Sequence, residues 1–248
     1  MRSLVFETPP LDTPIEILGA AIVTLDVASD RPIANLVVRL CDVHPSGESL
    51  RVSHGVLNLT HRDGHEKPAP LAPGKRYRVR IQLNDAGAVF PAGHRVRLAL
   101  STAYWPMIWP SPEKATLLIS DGTLDLPVRP PRATDALPSP LSGHESAPPE
   151  TPTILRQGDV RIERIDLELD TESKSRFHVE ENDPLSAVAE LRRTLTMSRD
   201  AWQIRIKAQM RLSCTRNAFL LRGSLRAWEG ASEVCHRDWD RSIARDFL

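Results

Sequence analysis

Residues 202–214 read Trp-Gln-Ile-Arg-Ile-Lys-Ala-Gln-Met-Arg-Leu-Ser-Cys, and this stretch decides the fold class. Apolar side chains occupy nearly every second position from Trp202 to Cys214, and polar or charged side chains lie between them. Because successive side chains of a β-strand point to opposite faces, this period of two predicts a long antiparallel strand with one buried and one solvated face. The stretch therefore favours an all-β protein.

The rest of the C-terminal region repeats this alternation. Thr215-Arg216-Asn217 predicts a hairpin turn, after which the pattern continues over residues 219–227. Further alternations predict strands at 165–169, 189–197 and 234–239. We therefore expect a small antiparallel β-sheet domain over residues 153–248, with Trp202 buried in its core. The polar face carries basic side chains that we expect to pair with acidic residues of neighbouring strands, namely Arg205, Lys207, Arg211, Arg222 and Arg226.

The N-terminal half carries shorter alternating runs, separated by turns that contain glycine and proline. These runs predict strands at 21–27, 36–41, 56–60, 77–83, 96–100 and 116–119. Short strands at this spacing are typical of a β-sandwich or jelly roll, which we place at residues 1–128. The Pro-rich tract 129–152 has neither strand nor helix periodicity and predicts a linker or a surface strap.

Composition excludes several classes of partner. The 248 residues include 32 basic and 32 acidic side chains, so there is no electrostatic reason to expect binding to nucleic acid or to an anionic membrane. Three scattered cysteines argue against a disulfide framework, although Cys214 and Cys235 could face each other across neighbouring strands. The N-terminus lacks the pattern of a signal peptide, so we expect a cytoplasmic protein, and no sequence pattern suggests a cofactor.

Four motifs stand in a characteristic order in the first half of the chain. They are Leu4-Val5-Phe6-Glu7-Thr8-Pro9-Pro10-Leu11, Ile17-Leu18-Gly19, Val38-Arg39-Leu40-Cys41-Asp42-Val43-His44-Pro45-Ser46-Gly47 and Phe90-Pro91-Ala92-Gly93-His94-Arg95. In this order they resemble the C-terminal, galactose-binding-like jelly-roll domain of the X-Pro dipeptidyl-peptidase and cocaine esterase family. A looser resemblance to the C-terminal extension of some bacterial members rests on Asp183-Pro184-Leu185-Ser186-Ala187 and Trp239-Asp240-Arg241-Ser242-Ile243.

The resemblance implies an accessory role. In that family an α/β-hydrolase domain carries a Ser-His-Asp triad and acts on acyl esters or X-prolyl peptides, and the jelly roll packs on it and can help to wall its cleft. No residue here corresponds to the nucleophile, the base or the orienting acid, so we expect no catalytic residue and no activity from this chain alone. The implied partner is the α/β-hydrolase domain. Where the family usually has Asp-Phe or Asp-Trp, this chain has Asn35 and Leu36, which we expect to face that partner or a ligand.

Tyr104, Trp105 and Trp109 follow the strand predicted at 96–100 and stand among several prolines. One interpretation is an apolar patch that lies against the hydrolase domain, or that joins copies of the chain into a homo-oligomer when that domain is absent. The alternative is a stacking platform for a sugar ring, which would make the chain a free-standing carbohydrate-binding module. The first predicts one large apolar patch, and the second predicts isolated aromatic side chains in a concave groove with polar partners.

The remaining candidates for chemistry are local clusters of polar side chains. A serine nucleophile needs a base within hydrogen-bond reach and a sharp strand-to-helix turn, and neither Ser101 nor Ser53 beside His54 has that sequence context. Another group has side chains of metal-ligating types, namely His54, His61, Asp63, His65 and Glu66. Its spacing fits no closed metal site, so we expect a solvated loop there and no bound metal.

Overall fold

The computed structural model describes residues 3–130 and 157–248, and the regular structure of these residues consists almost wholly of antiparallel β-strands. The predicted all-β fold class is therefore confirmed. The described residues divide into two compact units, residues 3–130 with Phe247–Leu248 and residues 157–246. Most of the linker predicted at 129–152 lies outside the described residues. Within the described ranges, none of the helical turns has the length and apolar character needed to cross a lipid bilayer.

The first unit contains a β-sandwich. Its strands are β1 (Leu4–Glu7), β2 (Ile15–Ser29), β3 (Asn35–Val43), β4 (Ser49–Asn58), β5 (Arg76–Phe90), β6 (Arg95–Ser101) and β7 (Leu117–Asp125). One sheet has the order β1-β6-β3-β4, and the other has the order β5-β2-β7. The inward side chains of both sheets form one apolar core, and its largest fully buried members include Phe90, Ile17, Leu36, Leu40, Leu59 and Leu83.

The two sheets approach each other closely along one side, where β4 passes over β5. Gly55 makes this approach feasible, because a Cβ at this position would lie 2.8 Å from Leu83 Cδ2 and 3.0 Å from the Gln82 carbonyl oxygen. The Ser53 hydroxyl donates a hydrogen bond of 2.6 Å to the Asn84 carbonyl oxygen in the same region. This side of the sandwich is therefore closed by backbone proximity as well as by side-chain packing.

The end of β4 differs from the sequence prediction of a strand over 56–60. The strand ends at Asn58, and Leu59–His61 forms one 3-10 turn. Asn58 Oδ1 caps this turn by accepting a hydrogen bond of 3.1 Å from the Thr60 backbone N–H. Leu59 and Thr60 are buried, so the apolar run enters the core as a turn rather than as a strand.

The second unit is a six-stranded antiparallel sheet in which consecutive strands are neighbours. Its strands are β8 (Gln157–Ile162), β9 (Leu167–Glu180), β10 (Asp183–Arg199), β11 (Trp202–Cys214), β12 (Ala218–Glu229) and β13 (Ser232–Ala244). The predicted strand at 202–214 and the predicted turn at 215–217 are confirmed. Cys214 and Cys235 do not face each other, because their cross-strand neighbours are Phe219 and Ala227, respectively.

One face of this sheet is apolar but only partly covered. The register of β10, β11 and β12 places Leu191, Met210 and Gly223 directly across from one another on that face. Leu191 is 36% exposed and Met210 is 42% exposed, values far above those of the sandwich core. Trp202 is 37% exposed, so the prediction that it is buried in a core is wrong. It lies at the start of β11, where its indole Nε1 donates to Glu229 at 3.1 Å.

The opposite face of the sheet is charged, and several of its charges are paired across strands. Arg211 on β11 forms an ion pair with Glu190 on β10, and Arg222 on β12 pairs with Asp240 on β13 at 3.1 Å. The expected pairing is therefore confirmed for these two arginines. At the edge of the sheet, β13 carries charged and titratable side chains, namely Glu233, His236, Arg237, Asp238, Asp240 and Arg241.

Candidate functional site

Two of the sequence motifs meet at one end of the sandwich. His94 lies between β5 and β6, Asp42 lies near the end of β3, and the His94 Nδ1 is 2.9 Å and 3.0 Å from the two Asp42 carboxylate oxygens. The two side chains are only 15% and 16% exposed. The His44 ring contacts the His94 ring edge to face, with centroids 4.9 Å apart. This contact joins the motif that contains Asp42 to the motif that contains His94.

The geometry of this corner differs from that of a catalytic triad. A triad places a single imidazole between the acid and the nucleophilic hydroxyl. Here Asp42 contacts His94, whereas the Ser46 hydroxyl lies 2.7 Å from Nδ1 of a different ring, that of His44. The other serine considered as a nucleophile, Ser101, donates its hydroxyl to the Ala103 carbonyl oxygen at 3.2 Å. We conclude that the Asp42–His94 contact is structural and links strand β3 to the loop between β5 and β6 at this end of the sandwich.

Tyr104 lies against basic side chains of β3 and β4. The guanidinium carbons of Arg39 and Arg51 are 5.4 Å and 5.8 Å from the centroid of its ring. The His54 ring contacts the same phenol at an angle of 73°, with centroids 5.9 Å apart. Arg51 also donates a hydrogen bond to the Tyr104 hydroxyl. We call Arg39, Arg51, His54 and Tyr104 the Tyr104 cluster.

A β-bulge brings the basic members of the Tyr104 cluster together. Arg39 is directly opposite His54, and a register shift between Leu40 and Cys41 then places Arg51 opposite Cys41. In a regular strand, residues three positions apart point to opposite faces, so Arg51 and His54 would be separated by the sheet. The bulge cancels that difference. Sequence analysis proposed Tyr104 but missed both arginines, because alternation alone does not reveal a bulge.

Trp105 and Trp109 pack against each other. Their rings meet edge to face at 81° with centroids 5.2 Å apart, and both residues are half-buried. Neither is an isolated, freely presented ring of the kind that the carbohydrate interpretation requires. Between them Met107 is 58% exposed, so apolar surface remains accessible in this segment. The interface role of both tryptophans stays a prediction.

Asn35 and Leu36 open strand β3 and have different surroundings. Leu36 is 1% exposed and belongs to the sandwich core. It lies on the same inward face of β3 as the core residues Val38 and Leu40. Its side chain is therefore unavailable to a partner or ligand, and the prediction for Leu36 is corrected. Asn35 is half-buried, and its partner-facing role stays a prediction, as does that of Tyr104.

The histidines predicted to lie in one loop are divided between two places. His61 Nδ1 and His65 Nδ1 are 3.1 Å apart, whereas His54 belongs to the Tyr104 cluster. Among the described residues, no group of three or more His, Cys, Asp or Glu side chains is arranged to hold a metal ion.

The side of the sandwich opposite Gly55 is open. There β1 and β7 are the outer strands of the two sheets, and a cleft of about 470 Å³ lies beside them. Its apolar lining comprises Phe6, Leu25, Val96, Leu98, Ile119 and Leu124. Leu4, Val5 and Phe6 on β1 are 49%, 42% and 48% exposed. Exposed apolar side chains beside an apolar cleft are typical of an interaction surface, and three consecutive apolar residues in the first motif were the sequence signal for it.

The charged end of β1 is neutralised locally. Arg97 Nε donates a hydrogen bond of 2.7 Å to Glu7, and Arg95 is 3.5 Å from the same carboxylate. The hydrogen bond from Arg97 is the main cause that lowers the pKa of Glu7 below its ordinary value. The charge of Glu7 beside the open side is thus neutralised by Arg95 and Arg97, and the accessible surface of the open side is largely apolar.

Comparison with known proteins points to one family for the first unit. Residues 2–137 match the family described as the X-Pro dipeptidyl-peptidase C-terminal non-catalytic domain. The chain is similar to the cocaine esterase of Rhodococcus sp., with 27% identity over 103 residues that cover 42% of this chain and 18% of that protein. The match thus spans less than a fifth of the length of that relative.

About half of this chain is also similar to parts of two solved structures. An α-amino acid ester hydrolase is 26% identical with a TM-score of 0.49, and the match covers 51% of this chain and 25% of that one. An aminopeptidase from a marine sediment archaeon, Thaumarchaeota archaeon, is 21% identical with a TM-score of 0.50, covering 52% and 26% of the respective chains. The likeness to the aminopeptidase concerns the fold alone.

Proposed function

Because this chain belongs to the family of X-Pro dipeptidyl-peptidase C-terminal non-catalytic domains, we propose that it is the accessory region of an acyl hydrolase. In this role it stabilises an α/β-hydrolase domain and forms one wall of its cleft. That domain is carried either by another part of the polypeptide or by a separate chain. The observation that supports this proposal most directly is the exposed apolar strand β1 beside the open side of the sandwich.

The open side gives the accessory role a physical basis. Full burial of one large aliphatic or aromatic side chain is worth about 1.5–3 kcal/mol. Leu4 and Phe6, which lie on the cleft side of β1 and are about half exposed, would therefore contribute to the stability of a complex when covered. A partner side chain that entered the cleft would contact Leu25 and Leu98, which already belong to the sandwich core. Docking at this place would therefore extend the existing core into the partner.

Catalysis is assigned to the partner domain in this proposal. Nucleophilic catalysis requires a hydroxyl or thiol whose proton is taken by a base held in place by a third group. The Asp42–His94 pair supplies an acid and an imidazole, but its neighbour is the His44 ring and the nearby Ser46 hydroxyl contacts His44. The chain therefore contributes stability and shape, and we expect it to hydrolyse no substrate by itself.

A direct test measures whether the purified chain hydrolyses p-nitrophenyl acetate or an X-Pro-arylamide. In parallel, a fluorophosphonate probe tests for reactive serines. We expect neither turnover above the rate in buffer nor covalent labelling. Labelling of a single serine, abolished by mutation of that serine, would contradict the proposal and reveal a catalytic site in this chain.

A second test addresses the accessory role. Residues 2–137 replace the matching segment of the Rhodococcus cocaine esterase, and esterase activity and melting temperature are measured. We expect an active chimera whose melting temperature falls by several degrees with Phe6→Ser, because this removes an apolar contact at the open side. The matched control is Leu50→Ser, which changes a 62% exposed residue on β4, at the opposite edge of the same sheet. Equal effects of both changes would argue against docking through β1.

A further inference from the structure

We propose that the Tyr104 cluster is a binding site for a carboxylate group. The first observation is its unbalanced charge. Among the described residues, neither Arg39 nor Arg51 has a carboxylate partner: Arg39 donates to Ser3 Oγ at 2.6 Å, and Arg51 donates to the Tyr104 hydroxyl. Six other arginines of the first unit lie no more than 3.7 Å from a carboxylate, namely Arg31, Arg62, Arg78, Arg95, Arg97 and Arg129. Arg76 and Arg80 on β5 are exposed to solvent, whereas Arg39 is half-buried.

The second observation is an unused donor inside the cluster. Arg39 Nε is buried and has no hydrogen-bond partner in the described structure. A buried cationic donor without an acceptor is unfavourable, and native structures usually satisfy such groups. The carboxylate of Glu7 lies on the same face of the sheet, but it is already held by Arg97 and Arg95. An acceptor supplied by a bound carboxylate would complete the cluster.

The geometry suits a single planar anion. A guanidinium group offers parallel N–H donors that match the two oxygens of a carboxylate. Both guanidinium groups lie against the Tyr104 ring, which limits their side-chain freedom before a ligand binds. Arg51 is exposed and gives access from solvent, while Arg39 and His54 are half-buried behind it. A nucleic-acid surface would instead need positive charge spread over many phosphates.

The carboxylate could belong to a small dicarboxylate or to an Asp or Glu side chain of a docked protein. Isothermal titration calorimetry of the full chain at low ionic strength separates these sources, with glutarate in one arm and a blocked acidic hexapeptide in the other. Sodium chloride at matched ionic strength is the blank. The variants are Arg39→Gln and Arg51→Gln, and the control is Arg78→Gln, whose arginine pairs with Asp26 on the other sheet.

We expect Arg39→Gln and Arg51→Gln each to weaken binding by about tenfold or more, because each removes a charge-assisted hydrogen bond. Arg78→Gln should leave affinity unchanged. Tyr104→Ala should also weaken binding, whereas Tyr104→Phe, which keeps the ring, should retain it. Binding of glutarate assigns the site to a small ligand, and binding of the peptide alone assigns it to a protein carboxylate.

The proposal is overturned if neither probe binds, or if the affinity is the same in wild type and in folded Arg51→Gln protein. Arg51 is exposed, so its replacement leaves a folded chain with which to judge the outcome, even if Arg39→Gln destabilises the sandwich. Circular dichroism verifies the fold of each variant. The inference rests on the described cluster alone and is independent of docking through β1.

Discussion

The sandwich of the first unit and the sheet of the second unit are built from strands with the same alternation, yet they bury their apolar side chains to very different extents. Val23, Leu36 and Phe90 in the sandwich are at most 1% exposed. On the apolar side of the second unit, Met210 is 42% exposed and Ile243 is 51% exposed. The buried apolar residues described in that unit are small: Ala187, Ala189 and Cys214.

The difference teaches that alternation and burial are separate properties. A period of two decides which side chains share a face, but a face is buried only when a second layer packs on it. The sandwich supplies both layers itself. Within the second unit, stability must rest more on the hydrogen-bonded ladders and on cross-strand pairs such as Arg211–Glu190, each worth about 0.2–1 kcal/mol.

Truncation of a phenylalanine in each unit should give the largest contrast. Phe90→Ala removes a fully buried ring and should lower the free energy of unfolding of the sandwich by about 3–5 kcal/mol. Phe177→Ala, at a residue that is 46% exposed on β9, should cost about 1 kcal/mol or less. Guanidinium denaturation, with hydrogen exchange to locate the unit that unfolds, measures both values. Similar losses at the two positions would break the comparison.

Addition of one methyl group should give the next largest effect. Gly55→Ala should destabilise the sandwich by about 1–3 kcal/mol, because the new Cβ would meet Leu83 Cδ2 at 2.8 Å and the Gln82 carbonyl oxygen at 3.0 Å. The control is Gly223→Ala on β12, where the nearest heavy atom would be 3.4 Å away. We expect a change within about 0.5 kcal/mol for the control, checked by urea unfolding. A tolerated alanine at Gly55 would show that the sheets can separate at this side.

Trp202→Ala should have a small effect for so large a truncation. Its side chain is partly exposed and its Nε1 donates to Glu229, so we expect a loss of about 1 kcal/mol rather than the several kcal/mol of a buried tryptophan. Trp202→Phe keeps the ring surface but removes the hydrogen bond, which separates the two contributions. Thermal unfolding followed by circular dichroism gives the measurement. A loss above about 3 kcal/mol would mean that another layer covers this face in solution.

The smallest predicted effect concerns pH. The pKa of Glu7 in the folded chain is lowered from 4.5, chiefly by the hydrogen bond from Arg97, so the ion pair stabilises the fold above pH 4.5. This contribution is lost as the pH falls through the lowered folded pKa. Glu7→Gln should therefore melt earlier than wild type at neutral pH, and the difference should shrink in acid. A difference that stayed constant from neutral pH into strong acid would contradict this assignment.

Much of the architecture could be predicted from local pattern. The strand from Trp202 to Cys214 and its following turn match the structure because alternation is a property of the strand itself. The expectation that Leu36 faces a partner or ligand was wrong because it followed the family pattern, whereas the alternation of Leu36 with Val38 and Leu40 puts it in the core. The association of Arg51 with Tyr104 was missed because it depends on a bulge and on contacts distant in sequence.

The charged strand β13 has a consequence for how far the second sheet can extend. An outermost strand with free backbone groups is a template on which other chains can add and grow into fibres. The charged and titratable side chains of β13 would have to lose water, and some would meet like charges, when an incoming copy aligned with them. The sequence of β13 thus disfavours the addition of further strands at this edge of the sheet.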